Sequence, residues 1–256
     1  MTTTLPTNTF KRAMQAQQRL LGLWINFPYA PITEALAGSG FDWFLFDMEH
    51  TPNDLERVGQ QLLALRGTNV APVVRVPVHD MVWIKRVLDA GAPNVMVPNI
   101  RNAREAQEAV AWTRFAPEGL RGVAGSTRAA GWTRFKDYMA RANDEVGVIV
   151  QIESREALDN LDAICRVPGI DAVFIGPSDL AAALGHRGGA AHPDVQAAIA
   201  QAICTARAAN RAIGILTADN KAEPYLEQGA TLVGVGTDLH LLVGAADALA
   251  ARLELR

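Results

Sequence analysis

Cysteine is scarce in this chain: Cys165 and Cys204 are the only two, and their spacing fits neither a disulfide framework nor a thiolate metal site. Both fall in helix-like stretches and are expected to be buried thiols in a reducing compartment. No run of about eighteen apolar residues occurs, which excludes an ordinary membrane-spanning helix. The first eighteen residues, MTTTLPTNTFKRAMQAQQ, lack the continuous apolar core of a secretory signal. The expectation is a cytoplasmic protein. An excess of positive charge is also missing: the formal net charge is −3 and the basic residues are scattered. That pattern excludes the electrostatic footprint of a nucleic-acid binder and points to a small-molecule partner.

What the chain has is apolar material, 49% against 20% charged residues, enough for a large core. Eight short runs rich in branched or aromatic residues recur at 20–26, 43–47, 71–76, 94–98, 146–152, 171–176, 212–216 and 231–236. Such runs suit strands buried on both faces. Between them lie helical segments; TPNDLERVGQQLLALRG, for example, has Asn53 or Asp54 near its start and Gly67 after its end. Strands alternating with helices imply parallel pairing, and eight units imply a single α/β domain over 1–256, a (β/α)8 TIM barrel. The rival, an open doubly wound sheet, calls for a glycine-rich phosphate loop after its first strand, and FPYAPITEAL contains none. One connection is long: residues 116–145 form an insertion suited to a lid, binding loop or contact surface, with a helix expected around RFKDYMARAND.

In a barrel of this type chemistry sits at the C-terminal ends of the strands. The second run ends in Asp47, Glu49 and His50, the third in Arg75, the fifth in Gln151 and Glu153, and the sixth leads through GPSD to Asp179. Glu153 and Asp179 are one strand–helix–strand step apart, so two carboxylates could share a hard divalent cation. On the pattern alone they could equally cap the helices that follow. Backbone N–H groups near Ser178 could hold a substrate carboxylate. Arg75 could grip an oxyanion, or simply pair with Asp47 or Glu49. His50 beside two acids suits proton transfer. His79, His186, His192 and His240 have no such company; HD at 79 and HPD at 192 read as helix starts, and His240 as part of a terminal helix. Lysine is rare as well: Lys11, Lys85, Lys136 and Lys221 all lie away from the C-terminal strand ends, which leaves a Schiff-base mechanism without a nucleophile.

The set FDWFLFDMEHTPND, PVVRVP, LDAGAPNVMVPNI, the pair Arg121–Gly122, VQIESREAL, GIDAVFIGPSDLAAALG and GVGTDLHLL resembles the HpcH/HpaI aldolase family in order and spacing, from about residue 20 onward. That resemblance implies a metal-dependent (class II) pyruvate aldolase that reversibly cleaves 4-hydroxy-2-oxo acids. It implies Glu153 and Asp179 as ligands of Mg2+, Mn2+ or Co2+, with Gln151 beside them. Arg75 would bind the keto oxygen, Ser178 and Asp179 the carboxylate through backbone N–H groups, and His50 would move the proton, oriented by Asp47 or by Asp89 of a neighbouring subunit. It also implies a hexamer built from trimers with exchanged C-terminal helices, and the apolar stretch TDLHLLVGAADALAARLEL fits such exchange. The family pattern has glycine where this chain has Met48, whose side chain points either to the helices or into the mouth. Two alternatives are a citrate-lyase-like enzyme acting on an acyl thioester and a non-catalytic binding barrel.

Overall fold

Strands buried on both faces can pair on both edges, and here they do so until no edge is left. In the computed structural model, which describes residues 4–217 and 221–253, Leu20–Ile25 (β1), Trp43–Asp47 (β2), Ala71–Arg75 (β3), Asn94–Val97 (β4), Gly147–Ile152 (β5), Ala172–Ile175 (β6), Ala212–Leu216 (β7) and Leu232–Thr237 (β8) close in sequence order. Every ladder is parallel, from Gly22 opposite Trp43 round to Leu20 opposite Leu232. All eight sequence runs are strands of this barrel, as a (β/α)8 architecture requires.

Helices precede and separate the strands: Thr9–Gln15 (α1), Ala30–Leu36 (α2), Leu55–Ala64 (α3), Met81–Asp89 (α4), Ala103–Thr113 (α5), Tyr138–Glu145 (α6), Arg155–Asp159 (α7), Leu161–Cys165 (α8), Pro177–Ala183 (α9), Pro193–Ala208 (α10), Glu223–Gln228 (α11) and Asp238–Arg252 (α12). Local chemistry sets their starts. Asp54 accepts from Arg57 N to open α3, Asp80 from Val82 N and Trp83 N to open α4, and Ser154 from Ala157 N to open α7. Gly67 follows α3 with φ at +85°, a conformation that costs glycine little. The long insertion ends in α6, as its sequence suggests, and packs Phe115, Ala130, Tyr138 and Ala142 into a small cluster of their own.

The apolar interior has two layers. Inside the barrel sit Trp24, Trp43, Leu45, Val73, Met96, Ile149 and Phe174; between barrel and helices sit Phe44, Phe46, Val74, Val95, Val150 and Ile175. Alternation along each strand produces this division. Gly22 is required by it, because any Cβ there would overlap the Trp43 ring. Phe10 and Met14 of α1 plug the end of the barrel where the strands begin.

Met48 is 6% exposed and packs in the outer layer against the helices, so its departure from glycine affects packing rather than the mouth. Cys165 is buried, and burial pushes its thiol up to about 12, but Cys204 on α10 is exposed, contrary to the sequence expectation. A sixteen-residue helix has a solvent face, and Cys204 falls on it. The last helix, α12, buries only Asp238 among its residues and leaves Leu241, Leu242, Val243 and Leu249 exposed. Glu254 and Leu255, at the end of that apolar stretch, lie outside the described residues. Among the described residues no helix is long and apolar enough to cross a membrane.

Candidate active site

The register carries the third-strand arginine directly to the acids of the second. Asp47 lies opposite Arg75, and the two side chains form a two-pronged pair: Arg75 Nε donates to Asp47 Oδ1 at 2.9 Å and Nη2 to Oδ2 at 2.7 Å. The remaining nitrogen, Nη1, donates to Gln151 Oε1 at 3.3 Å and lies 3.0 Å from Glu49 Oε2 in a charge contact without hydrogen-bond alignment. The Trp24 ring lies 5.3 Å from the guanidinium carbon. Both alternatives for the ion pair are therefore realised at once, with Asp47 as the tighter partner. That leaves the Nη1 edge as the part of Arg75 shared with Gln151 and Glu49.

Two carboxylates to one guanidinium is already an excess of negative charge, and β5 adds another. Glu153 Oε1 accepts from the backbone of Asn99 at 2.8 Å and Oε2 from Gln151 Nε2 at 2.5 Å. Asn99 adopts φ +54°, a left-handed turn that asparagine tolerates. Gly176, at the end of β6, is needed here because a Cβ would fall against Glu153 Oε2 and Gln151 Nε2. Three residues on, Asp179 stands exposed in the first turn of α9.

The pKa directions follow from this crowding. Burial pushes the Asp47 carboxyl up, but the hydrogen bonds and charge of Arg75 outweigh it and hold the group below its ordinary value. Burial raises Glu49, with Arg75 and His50 opposing it only in part. Glu153 is pushed up to about 7, first by burial and then by the charges of Glu49 and Asp179. The carboxyl most strongly perturbed is thus the one that faces two other acids across the mouth.

Neither Glu153 nor Asp179 serves as a helix cap: Ser154 caps α7, and α9 starts at Gly176 without a side-chain cap bond. Glu153, Asp179 and Glu49 offer oxygen donors of the kind a hard divalent cation takes, in surroundings short of positive charge, although the three do not gather within 4.8 Å of one another. Ser178 is exposed beside Asp179. His50 is also at the mouth, its side chain 64% exposed and Nε2 3.9 Å from Glu49 Oε2. Asp47 accepts from the backbone N–H groups of Glu49 and His50, at 2.9 and 3.4 Å, and so shapes the loop that carries the imidazole. Among the described residues the His50 ring bonds neither Asp47 nor Asp89. Asp89 ends α4, where it accepts from Arg121 Nη2 at 2.6 Å, away from the mouth of its own barrel.

Sequence reasoning passed over Asn99 and Trp24, which hold Glu153 and Arg75; the PNI turn after the fourth run was the only signal for the first. It also separated His186 from His192, which stack at 3.6 Å with ring planes 16° apart, both near Asp194. His192 Nδ1 accepts from Asp194 N and opens α10, so the helix-start reading stands. Nearly parallel rings direct their lone pairs side by side rather than to a common point, which disfavours a metal there.

A family model described as HpcH/HpaI aldolase/citrate lyase matches residues 20–245. The chain belongs to that family. Within it, a protein of Shigella sonnei named 4-hydroxy-2-oxo-heptane-1,7-dioate aldolase is 50% identical over 247 residues, 96% of this chain and 94% of that one. Among solved structures, an HpcH/HpaI aldolase/citrate lyase family protein from Burkholderia cenocepacia superposes with TM-score 0.94 at 41% identity, covering 97% of this chain and all of the other. An HpcH/HpaI aldolase from Desulfitobacterium hafniense follows with TM-score 0.88 at 27% identity, over 95% and 96% of the two chains.

Proposed function

We propose that this chain is a carbon–carbon lyase, a class II aldolase that reversibly cleaves 4-hydroxy-2-oxo acids to pyruvate, or a hydroxypyruvate-like donor, and an aldehyde. The observation that carries the reading is Glu153, a buried carboxyl raised to about 7 and facing Glu49 and Asp179 beside a buried arginine. Such an arrangement is unfavourable alone and is relieved by a cation. Relatives at about 50% identity bear an aldolase name over nearly the whole chain, which favours this reading over a citrate-lyase-like thioester enzyme. The same names weigh against a non-catalytic barrel.

Glu153 and Asp179 would hold a divalent cation of the Mg2+, Mn2+ or Co2+ type, with Gln151 steadying Glu153. Bound there, the cation would polarise the 2-oxo group. Arg75 presents its Nη1 edge to the same oxygen and meets the negative charge that develops there as the C3–C4 bond breaks. Its grip on Asp47 fixes the guanidinium in advance, so little reorganisation accompanies reaction. His50, exposed at the mouth, takes the proton from the 4-hydroxyl. Asp47 positions both groups. The first backbone N–H groups of α9, at Ser178 and Asp179, receive the substrate carboxylate.

The exposed leucines of α12 favour burial against another copy, in keeping with a cytoplasmic homo-oligomer that exchanges this helix. In such an assembly Asp89 of a neighbouring copy is available to orient His50. The test is removal of metal. EDTA should abolish pyruvate release from a 4-hydroxy-2-oxo acid, and Mn2+, Co2+ or Mg2+ should restore it; undiminished turnover in metal-free protein would defeat the mechanism.

A further inference from the structure

The structure also has a cavity of about 620 Å3 at the opposite end of the barrel from this chemistry. The first residues of β3, Ala71 and Pro72, line it, whereas the last residue of that strand is Arg75. The two sites are therefore separated by roughly 13 Å of strand. The volume falls within the range of about 300–1,000 Å3 of small-molecule sites. Phe10, Leu62, Leu65, Leu88 and Phe135 give it an apolar body. The N-terminal segment forms one wall, tied down where Leu5 N donates to Asp137 and Arg141 donates to Leu5 O.

Its charges do not balance. Glu145 is matched by Arg12 at 3.1 Å and Arg141 at 3.0 Å, and Arg121 by Asp89 at 2.6 Å. Arg121 Nη2 also reaches Tyr138 Oη, while its Nε is buried with no acceptor. Arg66 and Arg128 line the cavity too, and among the described residues neither has a carboxylate within ion-pair distance. Arg128 spends one nitrogen on the carbonyls of Gly59 and Ala90. Burial and the neighbouring charge of Arg66 both lower the pKa of Arg128, the electrostatic strain expected of two cations with no anion between them.

We propose that this cavity is a second ligand site, for an organic anion with an apolar body, whose charged end lies between Arg66 and Arg128. Calorimetric titration of the full-length chain with octanoate, against octan-1-ol as the neutral analogue of equal length, tests it. Saturable octanoate binding is expected, with the alcohol at least about fivefold weaker, the difference made by about 1 kcal/mol of ion pairing. Arg66 is exposed and has no ion pair among the described residues, so R66A should keep the fold and weaken octanoate by a similar factor. Arg75→Lys, at the other mouth, should leave octanoate affinity unchanged. No saturable binding, equal affinity for the alcohol, or indifference to R66A would overturn the proposal. Loss of binding in the Arg75 variant would do so as well, by placing the carboxylate in the aldolase mouth. None of these outcomes touches the metal test above, so the two readings fail independently.

Discussion

The two ends of this barrel handle charge in opposite ways. Where the strands begin, most acids have partners: Lys11 Nζ lies 3.2 Å from Asp171 and donates to Val146 O, Gln15 donates to the other oxygen of Asp171, and Glu145 is held by two arginines and Asn8 N. Where the strands end, Asp47, Glu49, Glu153 and Asp179 face one buried arginine. The first arrangement closes the barrel around α1; the second leaves an excess of negative charge within the protein itself. The same residue types are internally paired at one mouth and short of cations at the other.

The sharpest way to break the contrast is to alter Arg75 while keeping its charge. Arg75→Lys retains a cation for Asp47 but loses the fork that engages Asp47 and Gln151 together. Turnover of a 4-hydroxy-2-oxo acid should fall about a thousandfold, the loss found when an oxyanion donor is removed, with little change in thermal stability. Steady-state kinetics beside a melting curve would check both halves. A stability loss with turnover intact would make Arg75 structural.

The mirror experiment is at the other mouth. Lys11→Met strips a buried acid, Asp171, of its cation while Val148 N and Gln15 still donate to it. Breaking a buried pair from one side should cost about 3 kcal/mol, read as a shift in the urea midpoint, with turnover per folded molecule unchanged. Loss of turnover in the folded fraction would mean that the two ends are coupled.

This division was partly legible in the sequence. The eight strands could be read because they are largely buried on both faces, β2, β4, β5 and β6 at every position, and a continuous apolar run records that directly. The convergence of Asp47, Arg75, Glu153 and Asp179 followed from placing strand ends on a common rim. What escaped is what depends on contacts distant in sequence. Helix α1 has only seven residues, and Phe10 with Met14 gives too little periodicity to announce a plug. Asn99 reaches Glu153 across 54 residues. The His186–His192 stack is local instead, formed where a glycine-rich loop folds back, and a loop leaves no periodic signal. Cys204 was misplaced because helical periodicity alone did not say which face of α10 meets the barrel.

The smallest effect is also the most informative about the end where the strands finish, because it uses the unpaired charge itself. With its pKa raised from 4.5 to about 7, Glu153 holds a proton in the folded protein that it releases when unfolded. Between those values the native state binds more protons than the unfolded state, so metal-free protein should lose stability as pH rises from about 4.5 to 7 and change little from this source above it. A cation competes with that proton. Apparent Mn2+ affinity should therefore fall about tenfold for each pH unit below 7, where one proton must leave for each ion bound. Manganese titrations followed by electron paramagnetic resonance at pH 5.5, 6.5 and 7.5, repeated on Glu153→Gln, would separate the cases. In wild type the slope should be present; in the variant binding should be weak and its residual pH dependence flat. An equal slope in both would assign the proton to Glu49, whose carboxyl is also raised by burial, and would move the centre of negative charge away from β5.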